Sequence, residues 1–431
     1  MTDKRIIKQR FKSSIKRGTG EAYLIMQRNQ DIDFSSDIIK ASLKNFAYDG
    51  QSEGSRALYL SELIALSKHQ DKIRNAILTG LATERQDTWT LDQLFDLATI
   101  FAKQGHKDAR KAIYKRFYKN TISGSEWCGY TSIIDLDGFE GLKYISSTIG
   151  KSLENNPDPW QDDMIIRHFQ EENPKIKAIK ELEKASKENK YIKLYLDTIQ
   201  RAEANREPYQ LPVFNLDTVR DRIKNSDFIY IPPAFTKSLS QKEIRIIANE
   251  LLSEKDKLRI GKYLSIFSRI KFPLDYKLLM KYAKTKVNKN NRIVEWSIEA
   301  LKFFADNDIR QFALDKIKHN NSPSTYTNLL INNYKKGDSA LLKSIADKSK
   351  SEDIIHGLAS SYIAIYKSNN TKECKEPLEA IYNKLTCGIH RTQLVKILID
   401  NDVLSKKLKE EISHDSSEGT RKLFVKSQNV S

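Results

Sequence analysis

Asp135-Leu-Asp137-Gly-Phe-Glu140 is the stretch of this 431-residue sequence closest to a working site. Alternating Asp residues ahead of a glycine turn supply hard oxygen ligands of the kind Mg²⁺ or Ca²⁺ takes. An EF-hand loop also needs a third ligand residue before the Gly and a Glu six positions after it, and this stretch has neither. The competing reading is local. Asp137 caps a helix that starts at Gly138, and Asp135 and Glu140 lie exposed near its N-terminus, where negative charge is favoured. The histidines at 69, 106, 168, 319, 356, 390 and 414 contain no H-E-x-x-H and no metal-ligand spacing. His168 and Glu172 are four apart, so on a helix they share a face as a surface ion pair. No G-x-S-x-G, G-x-x-x-x-G-K-[ST] or G-x-G-x-x-G occurs, so hydrolase-elbow, P-loop and Rossmann chemistry gain no support. Cys128, Cys374 and Cys387 are odd in number, widely spaced and outside any C-x-x-C, which argues against a disulfide framework or a zinc site and for a reducing cytoplasm. No catalytic residue, metal or cofactor is assigned.

Charge carries the second kind of chemistry. The formal net charge is +17, and it is clustered. Residues 1–20 and 103–119 each carry seven Lys/Arg against one Asp, and residues 254–292 carry twelve against Glu254, Asp256 and Asp275. Such runs attract phosphate backbones through counterion release, although a Lys-rich face also simply keeps a helical surface soluble. Lys277, Lys281 and Lys284 lie at i, i+4 and i+7, one face of a helix. Lys262 and Arg269 are seven apart on the preceding helix and also share a face. If the two rows adjoin in a helix pair they make a positive stripe, so these five residues are the candidate nucleic-acid contacts. The aromatics among them, Tyr263, Phe267, Phe272, Tyr276 and Tyr282, stack on bases if exposed and fill a core if not.

The elements that position these residues read as helices throughout. Only 10 Pro and 16 Gly interrupt the chain, and no stretch approaches the ~20 apolar residues of a membrane helix, so no membrane partner is expected. The clearest unit is Arg292 to Ile317. Val294, Ile298, Leu301 and Ala305 make one apolar stripe, widened by Ile293, Ala300 and Phe304 and flanked by Trp296 and Phe303. Asp306-Asn307-Asp308 then stops that helix and caps a second, which buries Ile309, Phe312, Ala313 and Ile317. Leu301-Lys-Phe-Phe304-Ala-Asp-Asn-Asp-Ile309 has an echo 94 residues on, Val395-Lys-Ile-Leu398-Ile-Asp-Asn-Asp-Val403. Half of that offset, about 47, sits at the upper end of the HEAT/armadillo period of ~40–47. Over about residues 240–415 the chain resembles HEAT-like α-solenoid proteins. The resemblance implies a curved stack of helix pairs that binds a partner, and it implies no chemistry.

The expected fold is therefore all-α, a HEAT-like solenoid of stacked antiparallel helix pairs in two halves. Its parts are an N-terminal helical domain at 1–205, a linker at 206–233, HEAT-like repeats at 234–415 and a polar, frayed tail at 416–431. The linker contains Pro208, Pro212, Pro232 and Pro233 and the β-like run 228–231. The function expected first is a non-catalytic binding or scaffolding protein with an as yet unidentified protein partner. The alternative is a nucleic-acid-binding helical-repeat protein, with a DNA-repair enzyme as one form of it, that uses the basic helices at 254–292.

Overall fold

The computed structural model describes residues 2–85, 87–123, 128–158, 160–206, 214–228, 230–319 and 323–428. These form 26 α-helices and two 3-10 turns, with no strand among the described residues. None of the helices is long and apolar enough to cross a membrane. The chain divides into two compact units. The first comprises Met1–Tyr209, Thr386–Gly388 and Lys407–Val430, and the second comprises mainly Gln210–Leu385 and Ile389–Lys406.

In each unit, the helices that pack most extensively are near neighbours in sequence. In the first, Thr88–Lys103 packs on Ala57–Leu66, Gln70–Thr83 and Lys107–Ile122, and Tyr130–Asn155 packs on Lys190–Ala204. In the second, Lys257–Phe267 and Lys277–Ala283 both pack on Ile293–Leu301. The local chemistry that starts these helices is legible. Ser240 and Glu243 form the reciprocal capping box: the Glu243 N–H donates to Ser240 Oγ (3.3 Å) and the Ser240 N–H to the Glu243 carboxylate (2.8 Å). The Asp308 N–H donates to Asp306 Oδ1 (2.8 Å) at the head of Asn307–His319. Ile293, Val294, Ile298, Ala300 and Leu301 are buried as the stripe requires, but their helix ends at Leu301, so Ala305 falls past it and is exposed.

Three segments differ from the sequence reading. The helix expected from Gly138 begins instead at Tyr130, continues to Asn155 and bends at Gly138 (φ 54°, ψ −126°), a conformation that only glycine adopts cheaply. Residues 214–233, read as linker, belong to the second unit: Asn215 and Thr218 cap the helix Leu216–Asn225, whose Val219 and Ile223 are buried, as is Ile231. Pro208 and Pro212 lie outside the described residues, as do Ile229 of the β-like run and Trp127. The polar tail is the third case. It forms the helix Glu418–Gln428 and is part of the first unit.

The tail and the preceding residues 407–415, which read as the end of the repeats but belong to the first unit, close on the N-terminal hairpin. The Ser416 N–H donates to the Gly18 carbonyl (2.8 Å), His414 stacks on Tyr23 with ring centroids 3.8 Å apart, and Arg28 pairs with Glu410 (2.8 Å). A Cβ on Gly20 would lie 1.8 Å from the Glu411 carbonyl oxygen, so only glycine admits this approach. Glu411 itself is 4% exposed, and burial pushes its carboxyl up to about 7 from an ordinary 4.5, opposed by Lys407 and reinforced by Glu21. Between pH 4.5 and 7 the folded chain therefore keeps a proton that the unfolded chain has lost, and stability falls as pH rises through that window. At about 1.4 kcal/mol per pH unit the full cost is about 3 kcal/mol. Glu411→Gln is thus expected to raise the melting temperature at pH 8 and leave it unchanged at pH 4. Thermal melts of both proteins at the two pH values check this, since the opposing effect of His414, whose pKa burial lowers, cancels between them.

Candidate functional site

The acidic stretch of the first unit is dispersed among separate cations. Asp135 pairs with Lys103 (2.5 Å) and Glu140 with Lys143 (2.7 Å), while Asp137 accepts hydrogen bonds from Arg110 and from the Tyr114 hydroxyl. Asp137 ties the helix Lys107–Ile122 to Tyr130–Asn155 and is not a cap, because the helix does not start at Gly138. His168 and Glu172 lie 3.6 Å apart as the surface pair expected of them.

The five basic candidates of the second unit separate into two groups. Lys262 is 5% exposed, and its ammonium donates to the carbonyls of Ile223 (2.9 Å) and Ser226. Desolvation lowers its pKa. It satisfies the C-terminal end of Leu216–Asn225, where carbonyls lack helical partners. Arg269 is half-buried, donates to the Ile231 carbonyl and stacks over Tyr230 at 4.6 Å. Lys262 therefore staples residues 214–233 to Lys257–Phe267, and Arg269 staples them to the segment just after that helix. Lys277, Lys281 and Lys284 are all exposed. Their helix, Lys277–Ala283, turns Leu279, Met280 and Ala283 into the core, which leaves the lysine row on the outer face.

The row continues beyond the helix. Lys286 and Lys289 are exposed in the loop that follows, and residues 276–294 contain no carboxylate at all. Lys277 lies 3.8 Å from Asp275, whereas Lys281, Lys284, Lys286 and Lys289 make no ion pair with any described residue. The loop is anchored at its far end. Asn291 is buried, and its carbonyl oxygen lies 2.1 Å from where a Cβ on Gly261 would be. Arg292 adopts φ 50°, pairs with Glu295 and stacks over Trp296 at 4.3 Å. The geometry is a short basic edge held at both ends, with exposed lysine side chains. Lys286 and Lys289 fall inside the basic run 254–292, but selection by helical spacing singles out only residues on a helical face and so passes them over. The aromatics nearby belong mainly to the core: Tyr263, Phe267 and Phe272 are buried, and Phe267 and Phe272 meet edge-on with ring centroids 4.8 Å apart. Tyr276 and Tyr282 are half-buried.

Compared with known protein families, curated proteins and solved structures, the chain matches none.

Proposed function

We propose that the chain is a non-catalytic binding protein built of stacked helix pairs in the HEAT-like manner, and that its second unit holds nucleic acid along the basic edge at 277–289. The stacking reading is supported by strong packing between helices close in sequence, the habit of repeat arrays in which each repeat touches its neighbours. The nucleic-acid reading rests on one observation, the run of exposed lysines with no carboxylate between residues 276 and 294. An exposed ammonium that already has a carboxylate partner gains little from a phosphate, whereas an unpaired one releases a counterion for each phosphate it meets. The expected contacts are therefore to the phosphate backbone, without base readout.

Binding of a short fluorescent duplex to the intact protein tests this. The complex should form at low salt and dissociate progressively as salt is raised. If no salt-sensitive binding appears near physiological ionic strength, the nucleic-acid reading is abandoned, and the scaffold reading with a protein partner takes its place.

A further inference from the structure

In the second unit, the chain leaves Leu216–Asn225 and runs without helix, among its described residues, to Ala234. Pro232 and Pro233 end this run, and a residue that precedes proline is held extended. Successive side chains of extended backbone point to opposite sides. Ile231 points inward: it is fully buried, its N–H donates to Ser265 Oγ (3.2 Å), and its carbonyl accepts from Arg269. Phe228 and Tyr230, three and one positions earlier, stay outside and are 69% and 43% exposed. Among the described residues of this unit they are the exposed aromatics, the other rings being buried or half-buried.

Each of the two rings is backed by a guanidinium. Arg222 lies over Phe228 at 5.4 Å and Arg269 over Tyr230 at 4.6 Å, inside the ~6 Å reach of a cation–π contact. Tyr230 also meets Trp296, with ring centroids 6.3 Å apart, and Arg292 covers Trp296 at 4.3 Å. Arg292 stands at the anchored end of the lysine loop. A row of alternating cations and rings, Arg269, Tyr230, Trp296 and Arg292, therefore joins the exposed aromatic segment to the basic edge. Asp227 is the only acidic residue between positions 222 and 242.

An exposed ring with positive charge beside it suits a nucleic-acid base, which brings a π-face and a phosphate together. A duplex stacks its bases on one another and hides those faces, whereas a single strand offers them. An acidic polypeptide would engage the lysines and leave the rings without a partner. We infer that the second unit prefers single-stranded nucleic acid, with phosphates along the lysine edge and bases stacked on Phe228 and Tyr230. This deepens the nucleic-acid reading given above and rests on it. Stacking tolerates any base, so the rings add affinity without sequence readout.

Fluorescence anisotropy on the full chain tests this with a short oligothymidylate, an abasic strand of the same length and a duplex of that length. Oligothymidylate should bind at least tenfold more tightly than the abasic strand, and more tightly than the duplex, because each stacked base adds on the order of tenfold. Oligouridylate run in parallel separates RNA from DNA as the source of the strand, and a preference for either over the abasic strand supports the site. Replacing Phe228→Ala and Tyr230→Ala together should bring oligothymidylate down to the abasic level. The exchange Phe228→Tyr with Tyr230→Phe keeps both rings and should keep the difference. Both positions are exposed, so the melting curve should stay in place. If Tyr230→Ala does not fold, Phe228→Ala alone should still narrow the difference several-fold. The inference is overturned by equal affinity for oligothymidylate and the abasic strand, by tighter binding of the duplex, or by an undiminished difference in the folded alanine variants. Any of those results, with salt-sensitive binding of all three probes, leaves the phosphate reading standing. No salt-sensitive binding of any probe overturns both.

Discussion

Deleting residues 407–431 is expected to lower the melting temperature of the N-terminal unit by about 10 °C or more, although 416–431 read as a polar tail and 407–415 as the end of the C-terminal repeats. The reason is burial. Leu408 and Ile412 are 5% and 0% exposed, and each fully buried aliphatic side chain contributes about 1.5–3 kcal/mol. Asp415 and Thr420 are also buried, and Arg421 pairs with Glu62 on Ala57–Leu66. Together the two aliphatic residues account for about 3–6 kcal/mol, a large share of the ~5–15 kcal/mol that holds a folded protein together. For a unit of this size each kcal/mol moves the midpoint by about 2–4 °C. Differential scanning calorimetry of the full chain and the truncation measures the change. A transition for the N-terminal unit that is unaltered by the deletion would show that the tail is not part of its fold.

The triple replacement Lys277→Gln, Lys281→Gln and Lys284→Gln is expected to reduce duplex affinity about 100-fold near 0.15 M salt while leaving the melting curve in place. Each phosphate contact contributes about 0.9 to the slope of log K against log salt, so losing three removes about 2.7 from the slope and about two decades of affinity at that salt. Stability should hold because the three side chains are solvated, and substitutions at such surface positions usually stay within ~0.5 kcal/mol. Lys262→Met is the informative contrast. Its ammonium serves two backbone carbonyls, so its loss would act through folding and reveal nothing about nucleic acid.

Much of this was legible in the residues. Helix starts marked by Ser240-Gln-Lys-Glu243 and Asp306-Asn-Asp308 are local events, decided by side-chain oxygens within reach of the first free N–H groups. The apolar stripe of the 293–301 helix was readable for the same reason, since periodicity is a property of the segment. What was not legible depends on partners distant in sequence. Lys262 and Lys281 are equally basic in composition, and only the packing of Leu216–Asn225 beside Lys257–Phe267 makes the first a staple and leaves the second in water. Asp137 looked like a cap because Gly138 follows it, but Gly138 is a bend within one helix and the carboxylate faces Arg110, 27 residues earlier. The tail looked frayed because its sequence is polar, whereas its place is set by Gly18 and Gly20, nearly four hundred residues upstream.

The basic edge is tested most directly by the salt slope of duplex binding, measured by fluorescence anisotropy between 50 and 300 mM KCl for the wild type and the triple lysine variant. With three to five lysines engaging phosphates, the wild-type slope should lie between about −3 and −5, and that of the variant should be shallower by 2 to 3. Identical slopes in the two proteins, or a wild type whose binding does not respond to salt, would contradict the account.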